Sequence, residues 1–175
     1  MLSFKDYIVE QDYIDWDYVF GFILEEEDEP DFKVDKNKYG EKHTHTFNVP
    51  KKSGKGSHQV RVSIERYGNE HHVNFHVDDS VEIARAKRIP GQQRMKIFRG
   101  VARAVTSYAT KNVKPGHSIH AETADLDPDA EERKSITQSI FFDKLATRLG
   151  GRYHNYDGIA HEIKIPRKRK VVKAV

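Results

Sequence analysis

Apolar positions change period along the chain, and those changes divide it into elements. Between Gly91 and Asn112, Met95, Phe98, Val101, Ala102, Val105, Tyr108 and Ala109 recur at intervals of three and four, the stripe of an amphipathic helix. Ile136, Ile140, Phe141, Leu145, Ala146 and Leu149 repeat that spacing in a second helix. It has Asp127 as cap, Pro128 at its first position, and Glu131 and Glu132 in its first turn, where carboxylates oppose the positive end of the helix dipole. Gly150 and Gly151 close it.

Elsewhere the period is two. Trp16, Tyr18, Phe20, Phe22 and Leu24 alternate with Asp17, Val19, Gly21 and Ile23, which predicts a strand ended by Pro30. Phe47 and Val49, then Val60, Val62 and Ile64, then Val73, Phe75 and Val77 predict three half-buried antiparallel strands, joined by the loop KKSGKGS and a Gly68-Asn69 turn. The polar stretch up to Glu41 reads as loop with a short extended piece around Phe32 and Val34. SIHAETA, from Ser118, predicts a short strand between the long helices, and Tyr153 with Ile159, His161, Ile163 and Ile165 predicts a last extended segment or hairpin around Asp157-Gly158. Ser3 and Asp6, with Phe4, Tyr7 and Ile8, predict a short helix over 3–11.

The expected architecture is therefore α+β: an antiparallel or mixed sheet, its strands at about 16–78, covered by the two amphipathic helices of a helix-strand-helix-strand unit over 91–166. One domain over 1–166 is expected, followed by a basic tail over 167–175. A chain of 175 residues buries about two-thirds of the surface its unfolded form exposes, so it needs no covalent staple.

Composition narrows the chemistry. With no cysteine, disulfides, thiolate catalysis, iron–sulfur clusters and thiolate zinc sites are excluded. No secretory signal pattern opens the sequence and no apolar run approaches the roughly 20 residues of a membrane span, so a soluble protein is expected. Ten histidines remain. His43 and His45 share one strand face and His71 and His72 point to opposite faces, with no HExxH and no converging triad, so no metal is expected. No serine sits in a G-x-S-x-G elbow. Net charge is only +3, but sign segregates. Glu25 to Asp31 is acidic, whereas Lys51, Lys52 and Lys55, and the tail with Arg167, Lys168, Arg169 and Lys170, are basic. The tail cations are the candidate contact to a partner protein or to nucleic acid phosphates, read from charge alone.

From Glu70 onward the order strand, long helix, strand, helix, strand resembles the second half of a GCN5-related acetyltransferase. That family joins strand to helix with Arg or Gln, two variable residues, Gly, one variable residue and Gly or Ala, whose amides hold the cofactor pyrophosphate. Here the segment reads Arg88-Ile89-Pro90-Gly91-Gln92-Gln93, so the resemblance carries Arg88 and Gly91 but has Gln93 at the last place. The family's tyrosine acid precedes a Lys-Leu-Gly ending, and FFDKLATRLGG has Phe142 there. The resemblance implies the scaffold without its motifs, hence no cofactor and no catalytic residue, with acetyl-CoA-dependent N-acetyl transfer as the alternative. MLSFKDYIVEQ together with that later segment also resembles small proteins encoded by tailed bacteriophages. This implies a non-enzymatic virion structural or accessory protein, found in the virion or host cytoplasm, with other virion proteins as partners and no membrane.

Overall fold

The computed structural model describes residues 14–22, 24, 29–78, 91–122, 128–156 and 160–167, with side chains for all of these except 122 and 128–138. The expected helix over 3–11, residues 25–28, Arg88, Asp127, the Asp157-Gly158 turn and Lys168 to Lys170 lie outside the described residues.

Three helices and seven strands follow in the order α1 (Trp16–Phe20), β1 (Lys33–Asn37), β2 (Gly40–Pro50), β3 (Ser57–Tyr67), β4 (Glu70–Val77), α2 (Gly91–Asn112), β5 (Ser118–Glu122), α3 (Pro128–Leu149), β6 (Arg152–Tyr156) and β7 (Ala160–Lys164). The strands form one mixed sheet in the order β1-β2-β3-β4-β5-β7-β6. All neighbours pair antiparallel except β4 and β5, which run parallel because α2 carries the chain back between them. The α+β expectation holds, with a sheet wider than the alternation indicated.

Register separates the faces. His43, Ile64 and Val73 lie side by side, as do Phe47, Val60 and Val77, and on the same face His71, Ile119 and Ile163 share a row. Both long helices cover this face. Val60, Val62 and Ile64 are wholly buried beneath them, each contributing about 1.5 to 3 kcal/mol through removal of apolar surface from water. The opposite face carries a polar row crossing the whole sheet: Asp35, Lys42, Glu65, His72, His120, Glu162 and His154. No described helix packs there.

One expectation fails. Residues 16–20 are helix, not strand. Asp15 caps it, its carboxylate accepting from the Tyr18 amide at 3.0 Å. Tertiary packing then selects the helical spacing over the alternation: Trp16 and Phe20 share one face and meet Phe141 at centroid distances of 6.5 and 5.6 Å, while Trp16 meets Phe98 at 6.0 Å. The carbonyls at the end of α1 are taken by arginines of the long helices. Arg99 donates to Tyr18 O at 2.6 Å, and Arg148 donates to Phe20 O and Phe22 O at 2.7 and 2.6 Å while its guanidinium lies 4.0 Å above the Phe22 ring.

At the sheet edge the short extended piece expected around Phe32 and Val34 is strand β1, longer than expected, and a tight turn leads from it into β2. Asn37 makes that turn, its side-chain oxygen accepting from the amides of Tyr39 and Gly40 at 2.8 and 3.0 Å. All of β1 is exposed, and it is held by backbone pairing with β2 and by an ion pair from Lys36 to Glu41 at 3.0 Å. The end of α3 is as expected: Gly150 takes φ +67 and the Gly151 amide returns to Ala146 O at 2.8 Å.

Candidate functional site

The residues singled out from sequence do not assemble into one site. Gly91 is the first residue of α2, with open space where a Cβ would stand. Phe142 is in α3, 5 % exposed, its ring stacked on His161 with centroids 4.9 Å apart. Arg167 lies against Gly116, in the connection that follows the C-terminal end of α2, whereas Gly91 is at the other end of that helix.

What the fold does assemble is a buried polar chain that the sequence left scattered. The core face of β4 places His71, wholly buried, against Tyr108 from the C-terminal end of α2's apolar stripe. His71 Nδ1 is 2.8 Å from the Tyr108 hydroxyl, and His71 Nε2 is 2.9 Å from His117 Nδ1. Neutral imidazole has one N–H and one lone pair, so the chain has two self-consistent states. In one, Tyr108 donates to His71 and His71 donates to His117; in the other, every donor reverses. Burial, then His117 and Arg66, lowers the His71 pKa to about 4, so the ring is neutral at pH 7. Burial likewise pushes the Tyr108 hydroxyl up to about 12. His117 is half-buried and also lowered, by burial and by Arg66.

His43 packs edge-on against Tyr108 at 4.9 Å, with its Nε2 3.3 Å from a carboxylate oxygen of Glu41. Lys36 first, and His43 second, hold that carboxyl below its ordinary range. Beside this pair opens a groove of about 380 Å³ walled by Phe32, His43 and Tyr108, with Glu29 and Lys111 paired across it at 2.8 Å. The arrangement can pass a proton along Tyr108, His71 and His117, but it holds no activated nucleophile. Among the described residues no cluster of His, Asp or Glu could hold a metal ion. His71 and His72 do face opposite ways, and His43 and His45 share a face against Phe32 at 6.3 and 5.5 Å.

A second buried imidazole lies at the other end of the sheet. His161 on β7 is 2 % exposed, and its Nδ1 is 2.8 Å from the Tyr153 hydroxyl, whereas its Nε2 has no hydrogen-bond partner. Burial lowers its pKa. Tyr108 and His161 were both readable as polar residues at apolar positions, one in a helix stripe and one in a strand alternation. A buried tyrosine or histidine at such a place requires a partner.

No protein-family model matches the chain, and no curated protein or solved structure is significantly similar to it.

Proposed function

We propose that the protein is a non-enzymatic structural or accessory component of a tailed phage virion, an acetyltransferase-like scaffold that works through contacts with other virion proteins. The observation that carries this reading is the burial of Phe142 against His161, which leaves a phenyl ring in the core where that chemistry needs an acidic hydroxyl. The uncovered sheet face supports it too. Its charges alternate in sign and pair, Lys42 with Glu65 at 3.2 Å and Lys164 with Glu162 at 3.3 Å, which suits a polar protein surface better than a lipid or a polyanion. Among the described residues no helix is long and apolar enough to cross a membrane. Mass spectrometry of purified particles is the test. The chain is expected in stoichiometric amounts, and its absence from particles would sink the structural reading.

One observation favours acetyl transfer as a second reading. The parallel register of β4 and β5 covers only Glu70 to His72 and Ser118 to His120, so both strands continue toward their carboxyl ends without pairing each other, and α2 starts beyond β4. Crevices at the carboxyl ends of parallel strands are where ligands bind in open sheets. Arg88 and Gly91 would then hold the cofactor pyrophosphate, while Pro90 and Gln93 do not fit it. Calorimetry decides: saturable heat with acetyl-CoA supports this reading, and none at about 1 mM ligand, a ceiling of about 4 kcal/mol in affinity, ends it.

A further inference from the structure

We propose that the cleft between the Pro50 end of β2 and the middle of α2 binds the sugar–phosphate backbone of single-stranded nucleic acid, a contact separate from the C-terminal tail. Lys96, Arg99 and Arg103 recur along α2 at intervals of three and four and therefore form one stripe, with successive cations about 4.5 and 6 Å apart along the axis. The stripe borders a cleft of about 160 Å³ whose other wall includes Tyr18, Phe47 and Pro50, and none of its lining residues is a carboxylate. Gly100 explains how the wall forms. A Cβ there would come within 2.3 Å of the Phe47 ring, so only glycine lets the helix settle onto β2 and bring the stripe to the cleft.

Cationic charge continues past the cleft. Lys51, Lys52 and Lys55 are exposed on the β2–β3 loop, which is not a loose tether: the Lys51 amide donates to Gly56 O at 3.1 Å and the Gly54 amide to Lys51 O at 3.0 Å. Three cations from α2 line the cleft, and three more follow Pro50 on the adjoining loop, where Lys51 also acts on the Asp78 carboxylate. Like charges brought together raise the local potential and attract a polyanion. Tyr18 is 39 % exposed at the mouth, and the Arg99 guanidinium lies 4.9 Å from its ring, a platform on which a base can stack. Arg99 and Arg103 also hold contacts within the protein, so they contribute field while Lys96 and the loop lysines are the mobile phosphate ligands. The small size of the cleft, about 160 Å³, and the Tyr18 ring at its mouth carry the single-strand assignment.

Fluorescence anisotropy of the full chain with a labelled oligothymidine of about 20 nucleotides tests this. Binding is expected to weaken with salt at a logarithmic slope of about −2 to −3, corresponding to three or four phosphates. Lys96→Glu, and separately Lys52→Glu with Lys55→Glu, should each weaken binding about tenfold and flatten the slope. Alanine at Arg167, Lys168, Arg169 and Lys170 together should change it less than about twofold. Lys52, Lys55, Lys96 and Arg167 are exposed, and an unchanged melting curve verifies folding. Wild-type affinity in both groove variants, loss of binding in the tail variant, or no binding at about 50 mM salt would each overturn the proposal. Equal competition by a duplex of the same length would overturn its single-strand assignment.

Discussion

His71 and His161 occupy the same face of the same sheet, both buried and both bonded to a tyrosine hydroxyl at 2.8 Å, yet they are not equivalent. The second nitrogen of His71 meets His117 at 2.9 Å, while the second nitrogen of His161 meets nothing. The first network is closed: each buried polar group is satisfied by another from a different element, so it ties β4, α2 and the start of β5 together. The second is open, with one ring nitrogen desolvated and uncompensated beside Phe142. A closed network adds specificity and stability, whereas an open one costs about 1 to 3 kcal/mol and persists only because aromatic packing around it offsets the loss.

The largest effect expected from this difference is at His71. His71→Ala removes a buried ring and strands the Tyr108 hydroxyl and His117 Nδ1, so urea unfolding should show a loss of about 3 to 5 kcal/mol. A loss below about 1 kcal/mol would mean the network is not closed.

Acid should act through the same residue. The folded pKa of His71, about 4, lies below its ordinary value of 6.5, so between these values the unfolded chain binds the proton and the folded chain does not. Stability is therefore complete above pH 6.5 and falls as pH drops toward 4, by up to about 3 kcal/mol at about 1.4 kcal/mol per unit. His117 and His161, both lowered, act in the same direction. Thermal melts across this range check the sign, and the His71→Ala variant should show a shallower pH dependence.

The tyrosines come next. Tyr108→Phe should cost about 1 to 2 kcal/mol, because it leaves His71 Nδ1 buried without a partner. Tyr153→Phe should cost about 1 kcal/mol, since it leaves His161 Nδ1 without its tyrosine partner but opens at a half-buried position. The smallest change is expected at His161→Phe, within about 1 kcal/mol of wild type in either direction, because it removes the orphaned nitrogen along with one bond. Equal losses at His71 and His161 in the same denaturation series would erase the distinction.

Much of the fold was legible because long elements with one buried face announce their period. The stripes of α2 and α3 and the alternations of β2, β3 and β4 each follow from a single layer of burial. Residues 16–20 misled because aromatics two apart are also aromatics four apart, and only contacts with Phe98 and Phe141, more than 80 positions away, choose between the readings. Strand β1 was legible only as a short extended piece around Phe32 and Val34, because its residues are all exposed and no buried face marks its full length. The opposed directions of His71 and His72 were readable from strand geometry. The meeting of His71 with Tyr108 and His117 was not, since these residues lie 37 and 46 positions apart from it and converge only through the return of α2.

We propose that this scaffold works by contact rather than by chemistry at Phe142. Cross-linking mass spectrometry on purified particles tests it most directly, with amine-reactive links read at Lys42 and Lys164 on the uncovered sheet face. The chain is expected in the particles, with these lysines linked to other virion proteins. Particles lacking the chain, or holding it with no link from that face, would rule out a role through this surface.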